Sequence, residues 1–98
     1  EFAKNIFWVY GIVLKDSYPL NANDIMKKLS QKGVGTRPFF WCLHEQPVLR
    51  EMGFTFNEKF PVAENLARKG FYIPSGVALT DIQINYVSEM VQDVLNKF

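Results

Sequence analysis

Ile6-Phe7-Trp8-Val9-Tyr10-Gly11-Ile12-Val13-Leu14 is the stretch that decides how this chain is built. Its β-branched, aromatic and aliphatic residues suit a pleated surface, and the pattern predicts a strand over 6–15. Side chains alternate across a strand, so Ile6, Trp8, Tyr10, Ile12 and Leu14 share one face, and Phe7, Val9 and Val13 the other. Both faces are apolar, so both need cover. The run is far short of the roughly 20 residues of a membrane-spanning helix. No small-residue cleavage site follows it, so it is not read as a signal peptide. Asp16-Ser17-Tyr18-Pro19 closes it with turn chemistry.

Downstream, Asn21 can cap a helix over 22–32, with Ala22, Ile25, Met26 and Leu29 as its inner stripe and Gly33 as its stop. Residues 34–41 predict a second strand, and Pro38 makes it an edge because it cannot donate to a ladder. Pro47–Met52 predicts a short helix, and 54–60 a loop. Pro61 opens another helix, with Val62, Ala63, Leu66 and Ala67 inward and Gly70 as its close. Phe71–Pro74 reads as a third short strand. Thr80 and Gln83 stand at capping-box spacing before a last helix whose inner face is Ile84, Val87, Val91, Val94 and Leu95.

The order is strand, helix, strand, helix, helix, strand, helix, with no repeat and no internal linker. The expected fold is α+β: one domain over 1–98, a small, mostly antiparallel three-stranded sheet with helices on one face. Inserting the third strand between the first two makes the sheet antiparallel throughout, as in a split βαβ unit. Helices on one face leave the other side of the first strand bare. A bare apolar face of this kind marks a docking surface, unless the sheet curls or a helix crosses to cover it.

With 98 residues, 48% of them hydrophobic and 15% aromatic, the chain can build one small core. A net charge of +1 lacks the concentrated basic field of a nucleic-acid or membrane-surface binder, so neither partner is expected. A single cysteine forms no internal disulfide, and a reducing, cytoplasmic location is the simpler expectation. The chain begins Glu1-Phe2 rather than with Met. It therefore reads as a piece of something longer, with residues 1–4 expected to be disordered or a cloning remnant.

Thr36-Arg37-Pro38-Phe39-Phe40-Trp41-Cys42-Leu43-His44 gathers a fixed cation, three aromatics, the lone cysteine and the lone histidine. Cys42 and His44 lack a third orienting group for nucleophilic catalysis, and a closed zinc site wants four ligands, so no metal is expected. Gly33-Val34-Gly35-Thr36-Arg37 follows a helix, whereas nucleotide loops precede one, so it reads as a helix stop and a turn. Phe39, Phe40 and Trp41 could stack bases, but the near-zero charge favours packing. Arg37 could grip a phosphate or carboxylate with two parallel hydrogen bonds, or simply be solvated.

The segments FWVYGIVL, GTRPFFWCLHEQP, FPVAENLARKGFYIPSG and LTDIQINYVSEMV, in that order, resemble the C-terminal small domain of the DegT/DnrJ/EryC1/StrS family. These are pyridoxal-phosphate-dependent aminotransferases of nucleotide-linked keto-sugars. The RPFFW..H..P version is most similar to the perosamine-forming branch, which acts on a GDP-linked 4-keto-6-deoxymannose. The resemblance runs from about Asn5 to Leu95, and it departs at Cys42, where many relatives carry proline.

The resemblance implies the small domain of a fold-type I aminotransferase, docked on a large cofactor-binding domain of the same protein, within a homodimer. It implies a nucleotide sugar, GDP-linked, and an amino donor such as glutamate as substrates. The Schiff-base lysine would lie in the large domain, so no catalytic and no cofactor-binding residue is expected here, and the fragment alone should be inactive and bind no pyridoxal phosphate. Arg37, Phe40 and His44 are the residues it implies on the substrate side. A free-standing interaction module using the sheet face as its binding surface stays open beside this reading.

Overall fold

The computed structural model describes residues 2–54 and 57–98. Strand β1 (Tyr10–Val13) is followed by α1 (Ala22–Gln31), β2 (Arg37–Pro38), a 3-10 turn (Leu43–Glu45), α2 (Pro47–Glu51), α3 (Pro61–Lys69), β3 (Gly70–Ile73) and α4 (Asp81–Leu95). The strands order as β1-β3-β2, and both pairings are antiparallel. The last strand does insert between the first two, and Pro38 does sit on an edge.

Local chemistry sets the helix ends. Asn21 Oδ1 accepts from the Asp24 N–H at 3.0 Å, and Gly33 takes φ +73° past the end of α1. Thr80 and Gln83 complete the reciprocal capping box on α4. Gly70 closes α3 as expected, with its N–H donating to Leu66 O, and its extended backbone (φ −100°, ψ 145°) also begins β3.

Register decides the two faces of the sheet. Ile12 lies opposite Phe71, and that face carries the core: Leu14, Ala22, Ile25, Leu29, Val34, Phe71, Val87, Val91 and Val94. Helices α1 and α4 supply most of it. Their packing is tied by Tyr86 donating to Lys32 O (2.7 Å), Tyr18 donating to Leu95 O (2.9 Å) and a Lys32–Asp93 ion pair (2.8 Å). Gly11 opposite Tyr72 and Val13 opposite Gly70 form the second face.

Two strands are shorter than the sequence suggested. The expected 6–15 strand pairs only over Tyr10–Val13, and Phe7 takes a positive φ of 53° that ends any extended run. The expected 34–41 strand pairs only at Arg37–Pro38. The paired stretch of β1 can be no longer than β3, which is bounded by α3 before it and Pro74 after it, and β2 is cut shorter still at Pro38, which has no N–H to donate. Helix α3 also differs: of its expected stripe only Ala67 is buried, and Val62 is 74% exposed. Residues 54 and 57–60 carry no helix or strand, while 55 and 56 of the expected loop lie outside the described residues.

The outline is extended. The radius of gyration is 16.0 Å, against about 13 Å for a chain of this length. Accessible surface is 7797 Å², where a monomer of 11.4 kDa exposes about 5,800 Å². Large apolar side chains among the exposed residues include Ile6, Phe7, Trp8, Phe40 and Val62.

Candidate functional site

The second face of the sheet carries the aromatic cluster. Arg37 stands opposite Tyr72 across the β2–β3 ladder. The Phe39 N–H donates to Gly70 O at 3.3 Å, after which the chain leaves the sheet. Phe39 then folds back over Gly11 and Gly70, the two positions on this face without a side chain, and its ring stacks on Tyr72 with centroids 4.6 Å apart. Phe40 meets the edge of Tyr72 at 6.2 Å and stacks with Trp8 at 6.5 Å. Trp8 and Phe40 remain 67% and 74% exposed. Phe39 therefore covers the middle of the face from within the chain, and Trp8, Phe40 and Val13 are left uncovered around it.

Arg37 is exposed and, among the described residues, joins no ion pair. Its guanidinium is free to meet an anion.

His44 belongs to a different set of contacts. The 3-10 turn sets it against α3, where its Nε2 lies 2.8 Å from Glu64 Oε1 and its ring lies 5.0 Å from that of Phe60. The same carboxylate oxygen accepts the Phe60 N–H at 3.0 Å. Phe60 has no side-chain oxygen to cap α3, and Glu64 instead accepts the N–H of this N-cap residue itself. These two hydrogen bonds, backbone first, hold the Glu64 carboxyl below its usual range. An ionised carboxylate only accepts, so the proton of the pair sits on His44 Nε2.

Glu45 turns to Arg68, whose Nη2 lies 2.8 Å from Glu45 Oε1 and whose Nη1 donates to Glu64 O at 3.0 Å. The Arg68 guanidinium also lies 5.1 Å from the centre of the Trp41 ring. His44, Glu45 and Glu64 each bring a potential metal-ligating atom within 4.8 Å of the others. Arg68 and the Phe60 N–H already engage the two carboxylates, so the cluster works as an internal clasp. Cys42 lies between the two sets, buried, with φ −60°, the angle that proline's ring imposes. Proline would fit the same backbone angle.

The structure brings two of the three expected residues, Arg37 and Phe40, to Tyr72, and ties His44 to α3 instead. Sequence reasoning missed Glu64, Arg68 and Tyr72. A carboxylate in the first turn of a helix whose preceding residue cannot cap it was the available signal for Glu64.

Two clefts flank α4. One, of about 440 Å³, is lined by Tyr10, Ile12, Ile73 and Pro74 on the sheet side and by Ile84 and Val87 on the helix. The other runs past Gly33, Gly35 and Tyr86. Neither is lined by a charged side chain.

The model of the DegT/DnrJ/EryC1/StrS aminotransferase family matches residues 2–92, nearly the whole chain. The chain belongs to that family. Among its curated relatives are the GDP-perosamine synthases of Vibrio cholerae (24% identical over 92% of this chain) and Escherichia coli O157:H7 (26% over 89%). That of Caulobacter vibrioides is 24% identical over 94%. The chain spans only 24%, 22% and 24% of their respective lengths. In structure it is similar to a putative sugar aminotransferase from Streptococcus pneumoniae, solved in its PMP form. The TM-score is 0.78 at 19% identity, covering 91% of this chain and 22% of that one. The fold of this family domain is thus the α+β arrangement described above.

Proposed function

We propose that the chain is the C-terminal small domain of a pyridoxal-phosphate-dependent aminotransferase that converts a nucleotide-linked 4-keto-6-deoxy sugar, GDP-linked as in perosamine synthesis, into its 4-amino sugar. Glutamate serves as amino donor in this reading. The observation that carries it is the uncovered aromatic face. Trp8, Phe40 and Val13 stand exposed together there, the kind of apolar patch that marks an interface. The relatives are some four times longer than this chain, which leaves ample polypeptide to cover it.

The residues present do not fit the cofactor. Pyridoxal phosphate needs a lysine for its aldehyde, cations for its phosphate and a carboxylate at its ring nitrogen. Lys69 is spent on Tyr18 O and Leu20 O, and Lys32 and Lys97 on Asp93. Lys28 sits over the Phe98 ring, and Lys4, Lys15, Lys27 and Lys59 are exposed. The cofactor is therefore assigned to the remainder of the longer protein, together with the chemical step.

The role left to this domain is to close one side of the substrate cleft. Arg37 meets a phosphate of the nucleotide, Phe40 offers an apolar wall at the margin where the docked face borders the cleft, and His44 stands behind them on the clasp with α3. The protein works as a homodimer in the cytoplasm in this reading, and among the described residues no helix is long and apolar enough to cross a membrane.

The test has two arms. The longer protein, given glutamate and GDP-4-keto-6-deoxymannose, should yield the 4-amino sugar by mass spectrometry. The 98-residue chain, mixed with pyridoxal phosphate and reduced with borohydride, should show only sparse, scattered lysine labelling. A single stoichiometric lysine in the second arm, or no amino sugar in the first, would sink the proposal.

A further inference from the structure

We infer that Glu64 is a positioning residue for the substrate side of this domain, acting through His44 on a segment that it does not itself belong to. The inference rests on the substrate-side role proposed above for Arg37 and Phe40.

Strand β2 has only two paired residues, and its last backbone link to the sheet is the Phe39 N–H to Gly70 O. Beyond that point the sheet no longer sets the direction of the chain. Phe40 is held by edge and stacking contacts alone, and it stays largely exposed. What fixes the path from Phe40 onward is the turn over 41–46, and that turn is fastened to α3. Glu64 Oε1 holds His44 Nε2 at 2.8 Å, Arg68 holds Glu45 at 2.8 Å, and the Arg68 guanidinium lies against Trp41, the neighbour of Phe40. Gln46 Nε2 closes the turn on itself by donating to Trp41 O at 3.2 Å.

Glu64 is the hub of these contacts. One carboxylate oxygen receives both the imidazole and the N–H of Phe60, the residue before α3, and its backbone oxygen receives Arg68. The imidazole is mostly buried, with only 11% of its side chain exposed. Removing its acceptor leaves a mostly buried N–H unpaired, and the turn must shift to regain a partner. A shift there moves Trp41 and Phe40 together. His44 Nε2 is committed to α3, so the effect of His44 on substrate passes through where the turn stands.

Two variants of the longer enzyme test this. Glu64→Ala removes the hub. Glu64→Asp keeps the charge in the first turn of α3 but withdraws the carboxylate by one methylene, out of reach of His44. Both should raise KM for the nucleotide sugar about tenfold while kcat stays within about twofold, because misplacement of a binding group weakens capture before it slows chemistry. KM for glutamate should not move. Asp93→Asn on α4, remote from the turn, should leave all three constants unchanged. If Glu64→Ala fails to fold, Glu64→Asp alone decides. Unchanged KM in Glu64→Asp with a lowered melting temperature, alongside a raised KM in Arg37→Ala or Phe40→Ala, would overturn the inference and leave Glu64 as a helix cap. Unchanged KM in all of these variants would overturn the substrate-side role of the face and the inference with it.

Discussion

The ring of Phe39 fills the space that a side chain at Gly70 would need. A Cβ at Gly70 would run into Phe39 Cδ2 and would lie 2.6 Å from the backbone oxygen of Leu66. The ring can turn aside, but the carbonyl at the end of α3 cannot. Gly70→Ala should therefore destabilise the chain by about 1–3 kcal/mol, the range for overpacking. Gly35 has nothing within 4 Å of its would-be Cβ and no positive φ. Gly35→Ala should leave the melting temperature nearly unchanged, and thermal denaturation of the two variants side by side checks the contrast.

Trp8 and Phe40 are stacked on each other yet mostly exposed, which sets their role apart from that of Phe71 at 0% exposure. Replacing both with Ser should barely change the melting temperature of the 98-residue chain and should reduce its self-association in sedimentation. In the longer protein the same double change should lower stability by several kcal/mol, since fully burying one large apolar side chain contributes about 1.5–3 kcal/mol. Equal effects in both contexts would argue against docking on this face.

The parts of the fold legible in the sequence were those decided by near neighbours. Asn21 with Asp24, and Thr80 with Gln83, fix helix starts through contacts three residues apart. Strand length was not legible in this way. Ile6, Phe7, Trp8 and Val9 have strand-forming side chains, but β-propensity reports fitness for a covered surface, and the partner strand ends at Ile73. In the candidate site, Arg37 and Phe40 were visible as a cation and an aromatic beside a strand edge. The bond from His44 to Glu64 spans 20 residues and follows no local spacing rule, so only the folded chain reveals it.

Stability in acid should depend on Glu64. The Phe60 N–H first, and His44 second, hold its carboxyl below the usual glutamate range in the folded chain. A depressed carboxylate pKa stabilises the fold above the unfolded value, and that contribution is lost as pH falls through the folded one. Melting temperature should thus be flat from neutral pH down to about 4.5, then fall, and Glu64→Gln should flatten part of that fall. Asp93 is depressed in the same direction by Lys32 and Lys97, so Asp93→Asn should remove another part. Identical acid profiles for wild type and Glu64→Gln would contradict the assigned ionisation.

Arg37 should matter to the substrate and hardly at all to the fold. It is exposed on an edge strand of two residues and joins no ion pair among the described residues, so its removal leaves no buried partner unsatisfied. Its place opposite Tyr72 sets a long, planar cation beside the aromatic face, suited to two parallel hydrogen bonds with a phosphate. A charge-assisted contact of this kind contributes about 1.5–3 kcal/mol, or roughly tenfold to a hundredfold in affinity. Arg37→Ala in the longer enzyme should raise KM for the nucleotide sugar by that factor, while the melting temperature of the domain moves by no more than about 2–4 °C, the range for a surface change. Arg37→Lys keeps the charge but loses the planar fork, and should recover only part of the loss. A large fall in domain stability with unchanged steady-state kinetics would return Arg37 to the scaffold, where a salt bridge formed only in the longer protein would have to explain it.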